Sequence, residues 1–99
     1  YEYATGVPQD DAQAVEWYRK AAEQGDAFAQ NNLGWMYLDG NGVIQDNVYA
    51  HMWINIAASL GNENAKKARD ILAKKMTAEQ IAKAQELARE CVRKNYKGC

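Results

Sequence analysis

The chain has 99 residues, a formal net charge of −1 and 47% hydrophobic residues. A length of this order suits a single domain, and its folding buries roughly two-thirds of the surface of the unfolded chain. A net charge close to zero gives no overall electrostatic argument for a nucleic acid or an anionic membrane surface as partner. The apolar runs are far shorter than the ~20 residues of a membrane-spanning helix, so no membrane span is predicted.

The sequence repeats itself. The pentapeptide "GVPQD" at 6–10 recurs as "GVIQD" at 42–46, an offset of 42 − 6 = 36 positions. At the same offset Trp17 matches Trp53, and Gly25 matches Gly61. Tyr1 falls on Tyr37, so we expect the sequence to be a fragment that begins inside an earlier repeat.

Glycines divide the chain into segments with helical periodicity. The first predicted helix covers about 11–24, with Asp10 as N-cap and Gly25 as terminator. The second and third cover about 27–38 and 47–60. The apolar stripe of the first consists of Ala14, Trp17, Tyr18, Ala21 and Ala22, and that of the second consists of Ala29, Leu33, Met36 and Tyr37. Trp17 and Trp53 are predicted to fill the space between adjacent hairpins.

The repeat decays in the last third of the chain. A fourth helix is predicted over about 63–75, where Arg69 replaces Leu33 of the preceding copy. Thr77 and Gln80 form a capping box that opens a fifth helix, which runs to about Lys94. Its inner face is expected to consist of Ile81, Ala84, Ala88, Cys91 and Val92. Its other face is heavily charged, as is typical of the capping element of a solenoid.

The recurring residues resemble the Sel-one-like repeat (SLR) family, which is similar to the tetratricopeptide repeats. The anchors that carry the resemblance are Ala29, Leu33, Gly34, Tyr37, Gly40, Gly42, Val43, Asp46, Ala50, Trp53, Ala57, Ala58 and Gly61. The resemblance implies an all-α fold, namely an α/α solenoid of about five helices arranged as antiparallel hairpins with a C-terminal capping helix. It divides the chain into the back part of a truncated repeat (1–25), one full repeat (26–61) and a degenerate repeat with its cap (62–99).

The resemblance also implies a scaffold for protein interactions, often in bacterial envelope, secretion or signalling systems. In the related tetratricopeptide repeats the equivalent of the second helix lines a concave groove that binds peptides or partner loops. On that groove the resemblance places Phe28, Asn31, Asn32, Trp35 and Leu38, followed by Asn64, Lys67 and Ile71. The alternative is that Phe28 and Trp35 pack against a neighbouring repeat.

The sequence gives little support for catalysis. His51 is the only histidine, and neither cysteine lies near it in sequence, so no metal site and no cofactor are predicted. Some cysteine-rich members of the SLR family bind or slowly hydrolyse β-lactams, which makes such an activity the alternative function. Their cysteines pair within each repeat, whereas Cys91 and Cys99 both lie in the predicted cap. We therefore predict that the chain is not an enzyme.

Charge is unevenly distributed along the chain. Residues 1–49 contain two basic and eight acidic side chains, and residues 50–99 contain ten basic and five acidic ones. Specific RNA readers among helical repeats carry matched side chains in every repeat. The basic positions here differ between copies, so no nucleic-acid partner is predicted.

Two further expectations concern the ends of the chain. Gly98 allows the tail to fold back, so Cys91 and Cys99 are predicted to form a disulfide, and with it a periplasmic or secreted location is favoured over a cytoplasmic one. The alternative is a buried thiol and a free tail cysteine in a cytosolic protein. At the other end, a truncated repeat would leave Trp17 and Tyr18 partly uncovered, and self-association through that end is expected.

Overall fold

A computed structural model describes residues 11–99 of the chain. The predicted N-cap at Asp10, the first "GVPQD" and Tyr1 lie outside the described residues. The described part contains five helices and no strand, and it confirms the all-α solenoid. The helices are α1 (Asp11–Glu23), α2 (Ala27–Asp39), α3 (Asn47–Ser59), α4 (Glu63–Ala73) and α5 (Ala78–Arg93).

Short-range capping interactions fix where the helices begin. The Asp46 carboxylate accepts hydrogen bonds from the backbone N–H groups of Val48 at 2.9 Å and Tyr49 at 3.1 Å, so Asp46 is the N-cap of α3. The capping box at Thr77 is also confirmed, because its hydroxyl accepts from the Gln80 backbone N–H at 3.1 Å while the Gln80 side chain accepts from the Thr77 N–H at 3.0 Å. These bonds satisfy N–H groups that the first turn of a helix leaves without partners.

Helices α2 and α3 approach each other closely at Gly34. A β-carbon at this position would lie 2.5 Å from Cγ1 of Ile54 and 3.0 Å from the carbonyl oxygen of Ala50. No side chain fits there without displacing α3, so glycine sets the distance between the two helices.

The core consists of two clusters that meet along α3. The first cluster joins α1, α2, α3 and the last turns of α5, and it contains Leu33, Trp53 and Cys91. The second joins α2, α3, α4 and the first half of α5, and it contains Ile54 and Leu72. α3 contributes to both clusters, so it is the central helix of the molecule.

The two repeat tryptophans have opposite environments. Trp53 is fully buried with 0% exposure, whereas Trp17 is 72% exposed. Trp17 therefore does not fill a space between hairpins, because the described residues provide no helix against its side of α1, and its exposure agrees with the expectation that it is partly uncovered. Val15, which the predicted stripe left out, is the buried residue of that turn.

α5 packs across α3 and contributes residues to both core clusters. Ala84 packs in the second cluster and Ala88 in the first, but Val92, which was predicted on the inner face, is exposed. Cys91 and Cys99 form a disulfide with a Cα–Cα distance of 5.6 Å. The tail beyond α5 returns to the α1–α2 turn, where the Lys97 ammonium group donates to the Glu23 carbonyl at 2.9 Å.

Candidate interaction surface

The exposed side of α2 carries two aromatic side chains. Phe28 is 61% exposed and Trp35 is 38% exposed. A spacing of seven residues is close to two helical turns, which puts both rings on the same face. Asn64 and Ile71 occupy the same positions one repeat later on α4, and both are exposed. We call these four exposed positions, which the 36-residue offset relates to one another, the α2–α4 face: Phe28, Trp35, Asn64 and Ile71.

The other predicted groove residues divide into exposed and recessed ones. Lys67 is exposed beside the α2–α4 face, whereas Asn31 is buried and Asn32 is half-buried. Leu38 is half-buried because it packs against the second core cluster. The structure thus brings five of the eight predicted residues to the surface and places Asn31, Asn32 and Leu38 behind them.

The two recessed asparagines retain unused hydrogen-bonding capacity. The Asn31 Oδ1 atom and the Asn32 Nδ2 atom are buried without a hydrogen-bond partner among the described residues. Buried amide groups without partners are costly, and both atoms lie below the surface, so a ligand reaches them only if the covering side chains move. Asn32 and Trp35 also line a cleft of about 80 Å³ against Tyr18 of α1, a volume that suits one small side chain.

His51 is a core residue. It lies on α3 at the position of Val15 in the preceding copy, and both side chains are buried. Burial lowers the pKa of His51 below its ordinary value of 6.5, and the positive charge of Arg69 lowers it further. The imidazole is consequently neutral at pH 7. Residues 11–99 contain no group of three His, Cys, Asp or Glu side chains that could hold a metal ion.

A second exposed surface lies on α1. Trp17 and Lys20 line two shallow depressions there, which also include Gln13 and Gln24. In the following copy, Trp53 is covered within the cluster that α1 and α2 help to form. The surface around Trp17, which we call the α1 face, is therefore the position that a further helical hairpin would cover in a continuous solenoid.

Comparison with protein families agrees with this helical architecture. Residues 1–26 and 27–62 each match the model of the Sel1 repeat. The chain belongs to the Sel1 repeat family. Sel1 repeats typically mediate protein–protein interactions.

Two proteins show how this Sel1 repeat chain relates to longer ones. It is 41% identical over 69 residues to chitin synthase regulatory factor 3 of Schizosaccharomyces pombe (strain 972 / ATCC 24843), a match that covers 66% of this chain and 7% of that protein. It also resembles a protein of known crystal structure, with 38% sequence identity and a TM-score of 0.84. This match covers 92% of the present chain and 21% of the other chain. That structure is of a protective antigen present in uropathogenic Escherichia coli strains and displays an SLR fold. The chain thus spans less than a quarter of either protein.

Sequence reasoning missed one feature of this Sel1 repeat chain, a groove between α3 and α5. Arg89 and Arg93 line it together with Asn55, and in the sequence these arginines appeared only as members of a basic half. Their i, i+4 spacing was a usable signal, since it places both on one side of α5. The sequence alone did not predict that α3 lies opposite these arginines.

Among residues 11–99, no helix is long and apolar enough to cross a membrane.

Proposed function

We propose that this Sel1 repeat chain is a non-catalytic scaffold whose α2–α4 face binds a peptide or a loop of a partner protein. The observation that carries the proposal is the exposed pair Phe28 and Trp35 on one face of α2. Aromatic side chains supply a large contact area at low entropic cost, and they are enriched among the residues that dominate binding energy. Their positions continue on α4 at Asn64 and Ile71, which gives an extended ligand a path across two repeats.

Polar groups also lie next to the aromatic pair. The Asn31 Oδ1 and Asn32 Nδ2 atoms lack partners but are buried, so they can pair with a peptide backbone only after the side chains that cover them move. Lys67 adds a cation beside Ile71, which favours a ligand with an acidic group at that end. Sel1 repeats as a class support a protein partner.

The double variant Phe28→Ala/Trp35→Ala tests the α2–α4 face. The probe is a peptide selected on the wild-type chain from a displayed random library, with its affinity measured by fluorescence anisotropy. We expect the double variant to bind at least about tenfold more weakly, since removing each interfacial aromatic typically costs more than 1 kcal/mol. Its free energy of unfolding should fall by no more than about 1–2 kcal/mol, because both rings are exposed.

Ile44→Ala is the matched control for this test. Ile44 is 89% exposed and lies in the α2–α3 connection, so its replacement removes a surface apolar side chain outside the α2–α4 face. The control should retain the wild-type affinity. Equal affinity of the double variant and the wild type would refute the proposal, and a stability loss of several kcal/mol with binding intact would show that the rings serve packing.

The α1 face supports a second part of the proposal, association with another helical repeat unit, including a second copy of this chain. An exposed tryptophan whose counterpart is fully buried one repeat later leaves apolar surface that a further hairpin would cover. We expect the wild-type chain to form dimers at high concentration in sedimentation experiments. Trp17→Ala should shift it to monomer while Ile44→Ala should not; a wild-type chain that stays monomeric would contradict this part.

The disulfide supports an oxidising compartment. Such bonds persist in the periplasm and outside the cell, and they are rare in the cytosol of mesophiles. We therefore propose a periplasmic or secreted location for this chain, with Cys91–Cys99 as the supporting observation.

A further inference from the structure

We propose that the groove between α3 and α5 is a second binding site, which takes an acidic segment of a partner protein. The groove is open to solvent along its length and has a volume of about 600 Å³, enough for a few peptide side chains. We call it the arginine groove. It is lined by α3 and the second half of α5, so it is separate from the residues of the α2–α4 face.

The floor of the arginine groove is apolar. Ile56 and Ala88 form its buried part, and Val92 lines it as an exposed side chain. Val92 follows the core-facing pattern of α5 in sequence, but it does not reach the core, so its apolar surface is available to a ligand. An apolar floor favours a ligand that brings side chains as well as charge.

Two side chains in the walls of the groove, Arg89 and Asn55, have hydrogen-bond donors available for a ligand. Arg89 makes no hydrogen bond or ion pair with any described residue, so its guanidinium group is available for a ligand. Asn55 accepts a hydrogen bond from Arg69 at its Oδ1 atom, at 3.3 Å, which leaves the amide N–H groups of Asn55 as donors. The Ser59 hydroxyl already donates its proton to the Ile56 carbonyl at 2.7 Å, so it adds no donor to the groove. A carboxylate has only acceptors and matches the donors of Arg89 and Asn55.

The charges around the groove favour an acidic peptide over a nucleic acid. Arg93 lines the groove but is paired with Glu90 at 2.7 Å, which keeps an anionic group at the rim. A continuous phosphate backbone would meet that carboxylate, whereas a peptide can place one or two acidic side chains at Arg89 and apolar ones on the floor. Residues 50–99 as a whole carry ten basic and five acidic side chains, which favours the approach of an acidic segment.

The test uses a short fluorescein-labelled peptide of leucine and glutamate, its lysine counterpart and a single-stranded RNA oligonucleotide. We expect the acidic peptide to bind the wild-type chain, with an affinity that falls as salt is raised. Arg89→Glu should weaken its binding at least about tenfold, because a charge-assisted hydrogen bond is replaced by repulsion. Val92→Ser should weaken it several-fold, because the floor loses apolar area.

Lys83→Glu is the matched control, since it makes the same charge change at an exposed position of α5 outside the groove. It should retain the wild-type affinity within about twofold, because Lys83 does not line the groove and salt screens the charges of exposed side chains. Circular dichroism of Arg89→Glu checks that its helices are intact; if they are lost, Arg89→Ala takes its place. Equal losses for Arg89→Glu and Lys83→Glu would overturn the proposal, as would equal binding of the lysine peptide or Arg89-dependent binding of RNA in place of the acidic peptide.

The arginine groove and the α2–α4 face can fail independently. Phe28→Ala/Trp35→Ala should leave binding of the acidic peptide unchanged, and Arg89→Glu should leave binding of the library-selected peptide unchanged. Loss of acidic-peptide binding in both variants would mean that the peptide does not bind in the arginine groove alone, and would refute the assignment.

Discussion

Trp53→Ala should lower the free energy of unfolding by about 3–5 kcal/mol, the usual cost of truncating a buried tryptophan to alanine. Trp53 has no exposed surface and packs in the cluster that joins α1, α2, α3 and α5, so its removal leaves a cavity between four helices. Trp17→Ala, at the equivalent position one repeat earlier, should change the stability of the monomer by less than about 1 kcal/mol because its ring is largely in solvent. Urea unfolding followed by circular dichroism measures both values.

The difference between the losses of unfolding free energy in Trp53→Ala and in Trp17→Ala is the quantity that tests the burial of the two rings. A loss of several kcal/mol in a domain of this size can unfold it, since small domains are stable by only about 5–15 kcal/mol. Trp53→Phe then provides a milder change that retains an aromatic ring, and it should cost less than Trp53→Ala. Equal effects of Trp17→Ala and Trp53→Ala on the monomer would show that the α1 face is already covered and would contradict the structure described here.

Reduction of the Cys91–Cys99 disulfide should lower the free energy of unfolding by about 2–3 kcal/mol. Loop-closure entropy gives this magnitude for a bridge with a sequence separation of eight residues. The bridge also holds the tail against the α1–α2 turn, where Lys97 donates to the Glu23 carbonyl and the Tyr96 ring packs with the first cluster. Thermal unfolding with and without dithiothreitol measures the effect.

The double variant Cys91→Ala/Cys99→Ala is the control for the reductant. It should be less stable than the oxidised wild type, and dithiothreitol should not change its melting temperature. A wild-type chain whose melting temperature is the same in both conditions, with the bridge shown by mass measurement to open, would contradict the expected contribution.

The bounds of the helices were predictable from the amino-acid sequence. Each predicted boundary lies within two residues of the observed one, from α2 at Ala27–Asp39 to α5 at Ala78–Arg93. The reason is that capping depends on contacts only two or three residues apart, such as those of Asp46 and Thr77. The internal repeat and its anchors likewise predicted the family, and Gly34 shows the physical basis of one anchor, since a β-carbon there would collide with α3.

Which faces of those helices are buried depends on tertiary packing. Trp17 and Trp53 share a motif, yet burial depends on whether another helix lies beside the ring, and that is set by residues far away in sequence. For the same reason the predicted groove residue Asn31 lies beneath the surface, and Val92 lies in a groove instead of the core. Hydrophobic periodicity identifies the apolar side of a helix. Only the packing of that helix against its neighbours determines which part of this side contacts protein and which part contacts solvent.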